Sequence, residues 1–274
     1  DSEKSLKYEQ GTNHDLVSLI EYNSTYPLEK KIGKYSNILK PKISLRYSPN
    51  DSKNIRNEER RIDTNNIFNL NRMSKNDTLE GGSSLTYGTQ FLKKNIQGKD
   101  LIDISIANIF RAEENKNLPS NSSLGEKMSD VFGSINYSPN NIFKTGYDFA
   151  LNNNFVDKNY EIFKTEMKIN NFVTEFEYLN ENNTLGKNSF LSNKTSYNID
   201  NSNSLSFKTR ENKKTQLTEF YNLVYQYRND CLIAAIEYNK DYYSDRDLKP
   251  SEDIFFKLTI VPFGQTKGSG YSRW

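Results

Sequence analysis

Residues 217–242 read LTEFYNLVYQYRNDCLIAAIEYNKDY. Leu217, Tyr221, Leu223, Tyr225 and Tyr227 share one parity, and Thr218, Asn222, Gln226 and Arg228 share the other. After Asn229-Asp230 the alternation resumes. Leu232, Ala234, Ile236, Tyr238 and Tyr242 are opposed by Glu237, Asn239 and Asp241. Side chains of an extended strand project to opposite faces with a period of two, so each half reads as a strand with one apolar and one polar face. Asn and Asp tolerate turn backbone angles, so Asn229-Asp230 joins the two strands tightly.

The same reading extends in both directions. Downstream, Ile254, Phe256, Leu258 and Ile260 alternate with Asp253, Lys257 and Thr259. Upstream, Leu205 and Phe207 oppose Ser206 and Lys208, and Phe172, Phe176 and Tyr178 oppose Glu175 and Glu177. Phe143, Tyr147, Phe149 and Leu151 oppose Lys144, Asp148 and Asn152. Tyr35, Leu39, Ile43, Leu45 and Tyr47 oppose Ser36, Lys40, Lys42 and Arg46. There are about thirteen such segments of about 9–14 residues, the length a tilted membrane-spanning strand requires. No apolar run reaches the roughly 18 residues of a spanning helix.

The connections alternate in length. Tight turns are expected near Leu28 to Lys34, Lys94 to Gly98, Pro139-Asn140-Asn141, Asn170-Asn171, Asp200-Asn201-Ser202 and Asn229-Asp230. The intervening links are longer, above all Pro49 to Gly82 and Ala112 to Lys127, then Asn180 to Lys187, Glu211 to Gln216 and Ser244 to Ser251. The link from Asn154 to Asp157 is short and breaks the trend. Short turns on one rim and long loops on the other are the habit of outer-membrane barrels, whose short turns face the periplasm. The expected fold is therefore all-β, an antiparallel transmembrane β-barrel. Single-chain bacterial barrels have an even strand number and periplasmic termini. About thirteen strands starting at the outer rim thus read as a fragment of a larger barrel.

Composition agrees with a sheet wet on one face. Hydrophobic residues are only 34 %, yet 18 Tyr and 16 Phe raise the aromatic content to 13 %, against the habit of disordered chains. Lys+Arg at 37 against Asp+Glu at 35 gives a net charge of +2 and no reason to expect a nucleic-acid partner. The single histidine, His14, leaves no base for a Ser or Cys nucleophile, and there is no phosphate loop or dinucleotide fingerprint, so neither catalysis nor a cofactor is expected. The single cysteine, Cys231, excludes an internal disulfide.

Two motif sets carry a family resemblance. In the long loop, Asn65, Asn66, Ile67, Phe68, Asn69, Leu70, Asn71 and Arg72 lead to Asp77, Glu80, Gly81 and Gly82, followed by Tyr87-Gly88. Near the end stand Tyr227, Asn229, Asp230 and Cys231, then Tyr243, Asp245-Arg246-Asp247, Pro250, Phe255-Phe256-Lys257-Leu258 and Pro262-Phe263-Gly264. Tyr26-Pro27, Leu39-Lys40-Pro41 and Tyr47-Ser48-Pro49 precede them. The ordered set resembles the LPS-assembly protein LptD (OstA) family. Met73 stands where the family has an aromatic, Asn76 beside its glycine position, and Thr78 at its second arginine.

The resemblance implies a lipopolysaccharide translocon of the cell outer membrane. Residues 1–274 would be the carboxy-terminal part of its barrel, with about half the strands, the amino-terminal periplasmic domain being absent. Such a barrel is plugged by an LptE-like lipoprotein and receives lipopolysaccharide from a periplasmic bridge docked on that domain. It releases lipid between its first and last strands. Ile254, Phe256, Leu258 and Pro262 would lie on one side of that lateral gate. Cys231, at the periplasmic rim, would be half of an interdomain disulfide, the alternative being a free thiol. Asn66, Phe68, Asn71, Arg72, Asp77, Glu80, Gly81 and Gly82 would form a loop folded into the lumen, the alternative being a solvated outer loop. Lys40, Lys42, Arg46, Lys144, Lys208 and Lys257 face inward with Asp148, Glu175 and Glu237, which reads as a solvated lumen, the alternative being a positive wall suited to phosphorylated lipid A. Two other readings remain open: a porin or receptor-type channel, and a structural or adhesive surface protein.

Overall fold

A computed structural model describes residues 16–73, 78–183, 186–242 and 250–260. The strands are β1 (Ile20–Thr25), β2 (Leu28–Ile32), β3 (Tyr35–Ser48), β4 (Gly82–Asn95), β5 (Asp100–Arg111), β6 (Val131–Tyr137) and β7 (Phe143–Leu151). They continue as β8 (Lys158–Ile169), β9 (Phe172–Asn183), β10 (Gly186–Asn198), β11 (Asn203–Asn212), β12 (Leu217–Arg228), β13 (Leu232–Asp241) and β14 (Ser251–Ile260). A single 3-10 turn at Ser123–Gly125 is the only helical element among the described residues.

All strands form one antiparallel sheet in the order β1-β3-β4 through to β14, with β2 also on β3. β1 and β2 are one strand with a break. Thr25 faces Lys42 and Leu28 faces Leu39, so the register runs on across Tyr26-Pro27. Pro27 has no N–H to donate, while the Tyr26 N–H still reaches the Pro41 carbonyl at 3.1 Å. Fourteen strands therefore make thirteen spanning segments, the number the alternation gives. Among the described residues the sheet does not close, and β1 and β14 are its edges.

The sheet is inverted relative to a water-soluble one. On β3, Leu45 is 50 % exposed while its neighbour Arg46 is 5 % exposed. Ile43 and Tyr47 are likewise exposed, and Ser44 and Ser48 are buried. An apolar outer face opposed by a covered polar face is the pattern of a wall between lipid and lumen.

The loop lengths depart from expectation in the second half. The link expected at Asn180 to Lys187 is mostly ladder, because Asn182 and Asn183 pair with Lys187 and Gly186. Between β11 and β12 only residues 213–216 are unpaired with a strand. Polar composition there signals a wet strand end rather than a loop, since the polar side chains leave the backbone free to continue its hydrogen bonds. Among the described links only those after β3 and β5 are long, and they build the core; the link expected at Ser244 to Ser251 lies mostly outside the described residues. Ile55, Ile62, Ile67 and Met73 of the first, with Leu118 and Leu124 of the second, pack on the inward Ala107, Ile109, Phe132, Ala150, Tyr160 and Ile162 of β5 to β8.

Candidate functional site

The loop from 49 to 81 turns back into the concave side of the sheet, and local hydrogen bonds explain how. The Asp63 carboxylate accepts the N–H groups of Asn65 (2.7 Å) and Asn66 (3.0 Å), and the Ile67 N–H closes a helical turn on the Asp63 carbonyl. Asn66 donates its side-chain amide to the Arg61 carbonyl at 2.9 Å. This turn buries Ile67 and sets the Phe68 ring 5.7 Å from the Lys42 ammonium. The Leu70 side chain is exposed, and its carbonyl is what the wall binds: Arg46 donates to it at 2.6 Å.

At the root of the loop, three guanidinium groups converge on one carboxylate. Arg72 donates to Glu80 through Nε (2.6 Å) and a terminal nitrogen (2.5 Å). Arg111, the last residue of β5, holds the same carboxylate and the Gly81 carbonyl. Arg46 of β3 reaches Glu80 at 3.4 Å and Glu21 of β1 at 3.0 Å. Arg72 also donates to Thr86 (2.9 Å) and Ser84 (3.1 Å) on β4. The side chains of Arg72, Arg111, Arg46 and Glu80 are all essentially buried. Burial by itself would push the Glu80 carboxyl up. The field and hydrogen bonds of Arg72, then the fields of Arg111 and Arg46, overcome it and hold the group at about 2. Buried charges persist only when paired and hydrogen-bonded. The cluster therefore fixes the chain ends of the loop to four strands at once.

Gly81 and Gly82 are required there for shape. A Cβ at Gly81 would lie 2.2 Å from the Asn50 carbonyl oxygen, and Gly82 adopts φ +83°. The far end of the loop is held separately. Arg61 pairs with Glu181 of β9 and lies 5.1 Å over the Tyr160 ring, and Tyr160 donates its hydroxyl to the Ile62 carbonyl at 2.9 Å. The loop from 112 to 130 locks on from above: the Ile55 N–H reaches Asn117 (2.8 Å), and the Ser120 N–H reaches Arg56 (3.0 Å). Beneath it, burial raises the Asp130 carboxyl despite hydrogen bonds from Asn159 and Ser123.

Of the residues the sequence singles out, Arg72, Glu80, Gly81 and Gly82 meet in the cluster. Asn66 and Phe68 shape the turn above it, and Asn71 is half-buried. Asp77 lies outside the described residues. Sequence reasoning passes over Glu21 and Arg111, whose only signal is their inward parity at strand ends near the loop. Cys231 sits half-exposed in the β12–β13 turn, where its N–H and that of Leu232 donate to the Asn229 side chain. Ile254, Phe256 and Leu258 lie outward on the edge strand β14 and are 62 %, 79 % and 68 % exposed. Pro262 and the other closing residues from 261 onward lie outside the described residues.

A family model described as LPS transport system D (LptD) matches residues 8–210, most of the chain. The chain belongs to the LptD family. The matched span contains the whole lumenal loop and the Glu80 cluster, and it stops within β11, before Cys231 and β14. No curated protein matches the chain. Family membership places the chain in lipopolysaccharide transport, in a family of outer-membrane transport and assembly proteins rather than enzymes. The inverted sheet is the wall such a family needs.

Proposed function

We propose that this chain is the carboxy-terminal part of an LptD translocon barrel that inserts lipopolysaccharide into the outer leaflet, and that it is inactive without the rest of that barrel. The observation that carries this reading is the pairing of an apolar outer face with a lumenal loop anchored through the buried Glu80 cluster. An apolar outer face alone would equally suit a solute channel; the anchored loop, which lies within the span that the family model matches, favours the translocon. Two sheet edges that have no partner strand among the described residues support the reading as a fragment, since lipid does not tolerate free backbone hydrogen-bonding groups. The missing strands would close the wall, an LptE-like lipoprotein would fill the remaining lumen, and an amino-terminal periplasmic domain would receive lipid from the bridge.

In this reading β14, with Ile254, Phe256 and Leu258 toward lipid and Pro262 beyond, forms one side of the lateral gate. Cys231 at the short-turn rim bonds to a cysteine of the periplasmic domain. The decisive experiment covalently staples β14 to the strand that faces it in the complete barrel, through an engineered cysteine pair. Lipopolysaccharide should fail to reach the cell surface under oxidising conditions and recover on reduction. Unimpaired surface delivery with the staple fully formed would exclude the gate. For Cys231, non-reducing electrophoresis of Cys231→Ser should show the loss of a fast-migrating oxidised form.

A further inference from the structure

The outward face of the wall changes height along the sheet. On β8 to β14 it turns charged toward the loop side, and at a constant level. Eight positions along the strand from the turn-side residues Ile169, Asn203, Leu232 and Ile260 stand Glu161, Glu211, Lys240 and Glu252. All four face outward: Glu161 lies opposite Phe149, Glu211 opposite Leu191, and Lys240 opposite both Tyr221 and Glu252. Glu161 pairs with Lys158 at 2.7 Å, Glu211 with Lys213 at 3.0 Å, and Lys240 with Glu252 at 3.3 Å. Tyr147 and Tyr238 reach this level from the turn side, donating their hydroxyls to Glu161 (2.9 Å) and Glu252 (3.0 Å). Tyrosines with the ring on the apolar face and the hydroxyl on a polar rim form the aromatic girdle of a membrane–water interface.

The other end of the sheet lacks this belt. No outward position from Leu39 to Tyr47 on β3, or from Ile102 to Phe110 on β5, is charged, and Leu45, Tyr47 and Phe110 at the loop-side end are exposed. The outward charges there, Lys30 and Lys93, stand at the turn side, where the Lys93 ammonium lies 4.5 Å from the Tyr35 ring. With a rise of about 3.3 Å per residue and a tilt of about 40°, the uncharged stripe from Leu39 to Tyr47 is roughly 20 Å high. By the same geometry the stripes from Ile169 to Phe163 and from Ile260 to Ile254 are roughly 15 Å high, against about 25 Å for the usual apolar band of such barrels.

We infer that β8 to β14 are a low stretch of wall that holds the bilayer beside it thin. An apolar stretch shorter than the hydrocarbon layer is met by thinning of the bilayer, because a layer of full thickness would draw the charged belt into hydrocarbon. The partner is therefore membrane lipid, compressed along these strands and not along β3 to β5. The thinned stretch includes the edge strand β14, so an apolar layer of reduced height faces Ile254, Phe256 and Leu258. This requires only a membrane wall and holds whether or not β14 borders a gate.

The test reconstitutes the complete barrel with its native partners into phosphatidylcholine vesicles of increasing thickness, from dilauroyl through dimyristoyl and dipalmitoleoyl to dioleoyl, and reads the heat-modification temperature in each. Wild type should be most stable in the thinner vesicles. Lys240→Leu combined with Glu252→Leu removes an exposed, charge-balanced pair and lengthens the outward stripe of β13 and β14, so the optimum should shift toward longer chains. Glu211→Leu on β11 is a second variant and should shift it in the same direction. Lys194→Leu combined with Glu175→Leu removes an exposed pair from the lumenal face and should leave the optimum in place. A wild-type optimum in dioleoyl vesicles, or one that neither belt variant moves, overturns the thinning. An equal shift in the lumenal variant overturns it too, by tracing the effect to added hydrophobicity alone. None of these outcomes depends on lipopolysaccharide delivery, so the translocon reading stands or falls separately.

Discussion

The two halves of the sheet share an apolar outer face and differ inside. From β3 to β8 the loop-side end of the lumenal face is dry: two loops pack on it, and the charges at the loop root are buried in a fixed cluster where the Arg72 side chain is 0 % exposed. From β9 to β14 the same face is wet, and its ion pairs are solvated, with the Lys257 side chain 63 % exposed against Glu237. The strand pattern is identical, so the difference comes from the connections. One half has residues to spare between strands and folds them inward. The described links of the other are only turns. Ion pairs of similar geometry therefore carry very different weight, because a buried pair that loses one partner leaves an uncompensated charge while an exposed pair is replaced by water.

The comparison is easiest to break at the cluster. Arg72→Met should cost about 3–5 kcal/mol and expose the loop from 49 to 81 to protease, by leaving Glu80 without its main partner. A loop that stays protected in this variant would mean that packing alone holds it. Acid probes the same group without mutation. The folded Glu80 carboxyl is lowered from an ordinary 4.5 to about 2, so its stabilisation is complete above 4.5 and drains as pH falls from there toward 2. Loop protection should be flat from pH 7 to 5 in limited proteolysis with an acid-tolerant protease, and decline only below that.

Smaller effects sharpen the boundary. Gly81→Ala should cost about 1–3 kcal/mol, because its methyl would collide with the Asn50 carbonyl and shift the loop root, detectable as a lower heat-modification temperature. Tyr160→Phe removes the 2.9 Å bond to the Ile62 carbonyl and should cost about 1 kcal/mol, read as faster cleavage near residue 62 while the cluster end stays protected. Lys194→Gln, on the exposed pair with Glu175, should leave the heat-modification temperature unchanged; a clear drop would show that the wet half is not as solvated as its exposure indicates.

The outer face was readable residue by residue. Tyr221, Leu223 and Tyr225 point outward as their parity requires, whereas Leu217 pairs with the inward position Asn212 because a bulge at Arg210/Glu211 shifts the register; the turns at Asn170-Asn171 and Asn229-Asp230 fall where the alternation breaks. The wet strand ends at Asn182 and Asn183 were misread as loop, because polarity marks exposure to water and not the end of a ladder. In the loop, Arg72, Glu80, Gly81 and Gly82 were visible as a motif, whereas Glu21 and Arg111 were not, since nothing in their own segments distinguishes them.

Sequence alone determined the strands, their two faces and most of the tight turns, because side-chain alternation is a property of the extended backbone and needs only near neighbours. Tertiary structure decided which half of the lumen is filled and that Glu80 gathers Arg46, Arg72 and Arg111 from separate segments. No period links those positions. They meet because a carboxylate buried by loop closure must be compensated, and only the closed loop brings the cations within reach.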